Sequence, residues 1–187
     1  MTSQSKRILV ARVLACLSPM VLGIALFQRL PDPMPIHFAF NGTPDGWAPK
    51  WFAVFGLPVL MAAIDAATIA FTERAIPKGE QRPRIAAIMN WIIPAITIVL
   101  YVLTIRAGLG NTSYIGKLVC LLLGVMLLLT GNYMPKMSFQ TARQMRGNHR
   151  FSYPRLDNES TYHLQARRAG IALMLAGVAF LVLALFV

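Results

Sequence analysis

Charge is what this 187-residue sequence has least of, and acid above all: Asp and Glu number 7, and all charged residues together make 13% of the chain. Ordinary soluble domains carry roughly 25%. So little charge cannot cover the surface of a chain that is 56% hydrophobic with a mean hydropathy of +0.57. An ordinary soluble domain is excluded. Cysteine is nearly absent too, and Cys16 and Cys120 both lie inside apolar runs, so no disulfide framework and no cysteine-based metal motif is written here. No serine or cysteine nucleophile is set beside a histidine, and no glycine-rich phosphate loop occurs. No catalytic residue, metal or cofactor is expected, and an enzyme is the less favoured class.

What the chain does have is long apolar runs. Five stretches, Ile8–Leu30, Trp51–Thr72, Ile85–Ile105, Ile115–Tyr133 and Ala169–Val187, approach the roughly 20 residues a helix needs to cross a bilayer. The expected fold is an all-α integral membrane protein with five transmembrane helices. Residues 1–133 form a four-helix membrane domain with an external loop at 31–50, residues 134–168 a basic cytoplasmic loop, and residues 169–187 the fifth span. Pro19, Pro58 and Pro94 fall within the first three spans, where each removes a backbone donor that neighbours must replace.

The basic residues give the orientation. Of the 18 Lys and Arg, Lys6, Arg7, Arg12, Arg74, Lys78, Arg82, Arg84, Lys136, Arg143, Arg146, Arg150, Arg155, Arg167 and Arg168 fall on one side of this topology. Only Arg29, Lys50, Arg106 and Lys117 fall on the other. The positive-inside bias puts the amino terminus in the cytoplasm and the carboxy terminus outside. Nearly all of the surplus positive charge behind the net +11 then faces the anionic inner leaflet, which is the expected partner, and nucleic acid is not.

The first loop is no passive connector. Pro31, Pro33 and Pro35 enforce an extended path. Ile36, Phe38 and Phe40 then alternate with His37, Ala39 and Asn41, the period of a half-buried strand. Asn41-Gly42 and Pro44-Asp45-Gly46 are turn signals, and Phe38, Phe40 and Trp47 suit an interfacial aromatic belt. His37 with Asp32 and Asp45 offers too few ligands for zinc, so a turn-organising role for the acids is the simpler reading.

Leu30-Pro31-Asp32, Pro35, His37-Phe38, Gly42, Pro44-Asp45-Gly46-Trp47 and Lys50, read together, resemble the signature of the bacterial SdpI-type membrane proteins and of their amino-terminal domain of unknown function. Gly131-Asn132-Tyr133-Met134-Pro135-Lys136, closing the fourth span, is similar to a second motif of that family. The chain departs from the family pattern further on, where Tyr153-Pro154-Arg155 stands in place of an Ile-Arg-Thr-Pro-Trp-like motif. The resemblance implies a multipass protein of the bacterial plasma membrane that confers immunity to a secreted membrane-active peptide toxin. It also implies, more distantly, relay of toxin presence through a cytosolic repressor held at the membrane.

On this reading His37, Phe38, Gly42, Asp45, Gly46, Trp47 and Lys50 form a candidate toxin-binding loop. Asp65 is the most informative single residue. A carboxylate deep in a span costs about 2.5–3.5 kcal/mol on insertion scales and needs a partner. Arg12 lies at matching depth on the first span, so the two form an expected intramembrane pair, with Asn90 and Asn132 at similar depth. The alternative function is a small transporter or ion-coupled carrier using Asp65, working as a homo-oligomer because five spans do not make an inverted repeat.

Overall fold

The computed structural model describes residues 3–39, 42–75, 88–146 and 158–186. Phe40, Asn41, Lys78, Arg82, Arg84, Arg150, Tyr153-Pro154-Arg155 and the first residues of the expected third span lie outside them.

Helix α1 (Ser3–Leu17) stops at Ser18-Pro19 and resumes as α2 (Met20–Leu26), followed by a 3-10 turn at Phe27–Arg29. Pro19 has no N–H for the carbonyl of Ala15, four residues back. The Ser18 hydroxyl donates to that carbonyl at 2.9 Å. The chain then forms strands β1 (Met34–Phe38) and β2 (Pro44–Ala48) before re-entering a helix. That helix is π-wound over Phe52–Gly56 and continues as α3 (Leu57–Ala75). Pro58 cannot donate to Val54, and the Tyr101 hydroxyl, from α4 (Ile92–Gly108), donates to the Val54 carbonyl at 3.2 Å. Pro94 falls in the first turn of α4, where a missing N–H costs nothing because those donors have no partner within the helix.

Helix α5 (Ile115–Tyr133) ends in a 3-10 turn, Met134–Lys136, and short α6 (Phe139–Arg146) follows. Helix α7 (Glu159–Leu183) starts ten residues before the expected fifth span. Its beginning is set by Asn158, whose side chain accepts the Thr161 N–H at 2.8 Å, an N-cap.

Among the described residues, four segments are long and apolar enough to cross a membrane: Lys6–Arg29, Phe52–Arg74, Ile115–Lys136 and Glu159–Leu183. Helix α4 is apolar but has 17 described residues. The four long apolar helices fit a multipass membrane protein.

Helices α1, α3 and α4 pack on one another, and α5 packs lengthwise on α7. The second pairing rests on four glycines. A Cβ at Gly131 would lie 2.6 Å from the Gly170 carbonyl oxygen, and one at Gly177 2.9 Å from that of Gly124. Both pairs are seven residues apart along their helices, two turns of an antiparallel contact in which backbones touch. Small residues permit such approach where no water drives helices together. The groups meet where α4 and α5 join, through Leu103, Ala107 and Ile115, and at the opposite end through α6, which touches α3 and α7.

This packing predicts that Gly131→Val and Gly170→Val each destabilise the fold by about 1–3 kcal/mol, as overpacking does. A conservative change at exposed Leu121, on the same helix as Gly131, is expected to be silent. Detergent melting temperatures of the three variants check this.

Candidate functional site

The loop between the first two long helices is a two-stranded antiparallel hairpin. Met34 pairs with Ala48, Pro35 with Trp47, His37 with Gly46 and Phe38 with Pro44, with an irregularity between. Its tip is closed by Ala39 N–H donating to Thr43 and Gly42 N–H donating to Ala39. Gly42 has φ +82, and a Cβ there would also lie 3.2 Å from the Gly116 backbone nitrogen. Glycine is therefore required twice over at that position, by conformation and by contact. The sequence reads Pro44-Asp45-Gly46 as a turn; it is strand, and Gly46 fits because a Cβ would sit 2.7 Å from that of His37.

The hairpin has two faces, and the candidate residues divide between them. Met34 is wholly buried with Leu30, Ala53, Val54, Tyr101 and Ile105, and Ile36 packs on this cluster. Phe38 packs on Leu103, Ala107 and Ile115. Phe38 is half-buried there, because the strand alternation turns it toward the bundle. Gly42 is buried against the bundle, and it docks the hairpin rather than presenting a surface.

Lys50 also turns inward. Its Nζ donates to the Leu30 carbonyl at 3.4 Å and lies 4.6 Å from the Phe27 ring centroid, and its backbone N–H donates to Asp32 Oδ1 at 3.0 Å. These contacts tie the two stems of the hairpin together. Asp32 thus belongs to the stem, apart from His37.

What remains outward is His37, Asp45 and Trp47. His37 Nδ1 lies 2.5 Å from Asp45 Oδ1, both side chains exposed, and Trp47, two residues along β2 from Asp45, is 57% exposed. With the carboxylate as acceptor, Nδ1 is the donor and the neutral ring keeps Nε2 as an acceptor. The exposed set on the hairpin is an imidazole oriented by a carboxylate and one large aromatic ring. Among the described residues no group of three or more His, Cys, Asp or Glu is placed to hold a metal.

At the far end of the same helices, Arg12 and Asp65 meet. Arg12 Nη2 lies 2.5 Å from Asp65 Oδ1, and the two residues are 4% and 0% exposed. Arg12 Nε and Asp65 Oδ2 make no hydrogen bond to a described residue. One turn along α1 from Arg12, Cys16 Sγ lies 3.9 Å from the Thr97 hydroxyl oxygen, so α1, α3 and α4 share one polar node. Asn132 is not part of it. That residue is exposed near the end of α5, where its side-chain oxygen accepts from Lys136 Nζ at 2.7 Å. Asn90 lies just before α4 and is half-buried.

The motif closing α5 is a packing device at two of its positions: Gly131 meets Gly170, and Pro135 also lies against Gly170. Tyr133 is half-buried beside them. The α7 glycines on which α5 packs, Gly170 and Gly177, carry no sequence signal of their own, since a small residue in an apolar run is common in any span.

A family model described as a domain of unknown function, DUF1648, matches residues 14–62. The match begins near the end of α1, takes in the whole hairpin and reaches the first turns of α3, stopping short of Asp65. No curated protein and no solved structure matches the chain.

Removing one partner of a buried ion pair typically costs about 3–5 kcal/mol because the other charge is stranded, whereas removing both is far milder. Arg12→Leu and Asp65→Leu are each expected to lower the detergent melting temperature sharply, with the double variant more stable than either. Simple addition of the two losses would show that the residues are uncoupled.

Proposed function

We propose that this chain is a multipass plasma-membrane protein of SdpI type that protects a bacterial cell from a membrane-active peptide, which it recognises on the outward face of the hairpin. The single observation that carries this reading is the division of the hairpin: Met34, Ile36 and Phe38 are spent on the bundle, while His37, Asp45 and Trp47 are left exposed together. A prefolded surface loses little ordering entropy on binding. Trp47 supplies apolar area with a polar edge, which suits a peptide lying at the water–lipid boundary. The carrier reading through Asp65 has less support, because that carboxylate is wholly buried and held by Arg12.

The same proposal takes α4 as a fifth span. Its 17 residues measure roughly 25 Å at 1.5 Å per residue, and the sequence continues apolar upstream from Ile85. With five spans the hairpin faces outward and the basic segment 134–168 faces the cytosol, where anionic lipid, and in the family's manner a small repressor, are its partners. Exposed Trp47, Trp51 and Tyr114 then lie at the outer interface, where tryptophan and tyrosine concentrate.

Orientation is tested by cysteine labelling in a Cys16→Ala/Cys120→Ala background. Thr43→Cys should react with an impermeant maleimide on intact cells and Asn148→Cys only after permeabilisation; the reverse pattern overturns the topology. Function is tested by survival of host cells expressing the chain and challenged with a panel of secreted membrane-active peptides. His37→Ala and Trp47→Ala should lose protection at unchanged membrane abundance. Lys50→Ala should act through reduced abundance, since Lys50 ties the stem. Protection that is retained by both outward variants, or lost only where the protein disappears, removes the hairpin from recognition.

A further inference from the structure

Between α3 and α4, beneath strand β1, lies a cleft of about 120 Å³. Its floor is Pro58, Thr97, Tyr101 and Thr104, all buried, and its mouth is formed by half-buried Met61 and Leu57 with exposed Leu100. Ile36 of the hairpin roofs it. The cleft follows from the broken helix beside it, where Pro58 and the π-wound turn before it hold α3 against the Tyr101 hydroxyl.

The chemistry of the lining selects the occupant. The floor hydroxyls already donate within the protein: Thr97 to the Ile93 carbonyl at 2.8 Å, Thr104 to Leu100 at 3.0 Å and Tyr101 to Val54 at 3.2 Å. A bound water needs two to four polar partners, and an apolar cavity without them takes an apolar guest. The space is somewhat smaller than an apolar cavity of about 150 Å³ that takes benzene, a size that suits a short stretch of hydrocarbon chain. The mouth includes exposed Leu100, on a helix surface that in a multipass protein looks into acyl chains. Leu100 lies eight residues from the hairpin end of α4, about 12 Å along the axis and so within one leaflet's half of the ~30 Å hydrocarbon layer.

We propose that this cleft is a lipid site: it holds a segment of one phospholipid acyl chain from the leaflet on the hairpin's side, resident against Tyr101 and Pro58. The proposal depends on the chain spanning a membrane and is independent of its orientation and of peptide recognition.

The test uses the full chain in phosphatidylcholine–phosphatidylglycerol vesicles doped with a phosphatidylcholine that carries a diazirine part-way along one acyl chain. After irradiation, labelled residues are read by mass spectrometry. Leu60 and Met61 are neighbours at one depth, and Leu60, at 49% exposed, is the better target for freely exchanging lipid. A resident chain reverses that order: label at Met61 should exceed that at Leu60 severalfold, and label at Leu100 should exceed that at Ile98, which is equally exposed. Leu100→Trp, at the mouth, should remove the Met61 label and leave Leu60 unchanged. If that variant does not fold, the two wild-type ratios decide the matter. Labelling that follows exposure, a Met61 label indifferent to Leu100→Trp, or crosslinks from the cleft to a second copy of the chain would each overturn the site.

Discussion

The contact on which the rest of this structure depends is the buried ion pair of Arg12 and Asp65. In a bundle with almost no other acid, one carboxylate and one guanidinium on different helices have a single low-energy arrangement, which is against each other. Fixing that contact sets the register of α1 against α3 at one end. At the other end the hairpin stem sets it again, through Lys50 on Leu30 and Phe27 and through Asp32 on the Lys50 amide. The segment between is therefore held at both ends. The net energy of a buried pair is small, because desolvation offsets most of the attraction, but any other register strands a charge. The pair acts as a selector of one packing more than as a source of stability.

A second constraint operates along the spans. In hydrocarbon each backbone carbonyl needs a donor, and a proline within a helix removes one. Ser18 serves the carbonyl opposite Pro19 from the same helix, whereas Tyr101 serves the one opposite Pro58 from another. The second solution joins α3 to α4, places Tyr101 under the hairpin, and leaves the cleft beside Pro58. Local backbone chemistry and the shape of the hairpin end of the bundle are thus one problem with one solution.

The parts legible in the sequence are those whose physical cost is large. Asp65 and Arg12 stand out because a charge in an apolar run demands an explanation, and matching depth on neighbouring spans makes each the explanation of the other. The alternation at Ile36-His37-Phe38 reads as strand, and β1 covers it. What could not be read was direction and partnership. Phe38 and Trp47 are both aromatics in one loop, and only the register of β1 on β2 sends the first inward and the second outward. Pro44-Asp45-Gly46 has turn composition, yet Gly46 is a strand residue, and glycine fits there because His37 crowds it across the hairpin. Lys50 reads as a recognition charge and serves as a tie. The glycines of α7 acquire meaning only once α5 lies against them, since absence of a side chain has no signature until something fills the space.

The central claim is that the hairpin is a rigid platform whose inward face is structural and whose outward face is free to recognise a partner. Backbone hydrogen exchange of the intact protein in a bilayer, read over residues 34–48, tests it most directly. The account predicts slow exchange at the paired amides of both strands, unchanged when His37 and Trp47 are both replaced by alanine, because neither supports the fold. Exchange as fast as that of an unstructured loop, or protection that vanishes with those two side chains, would contradict it.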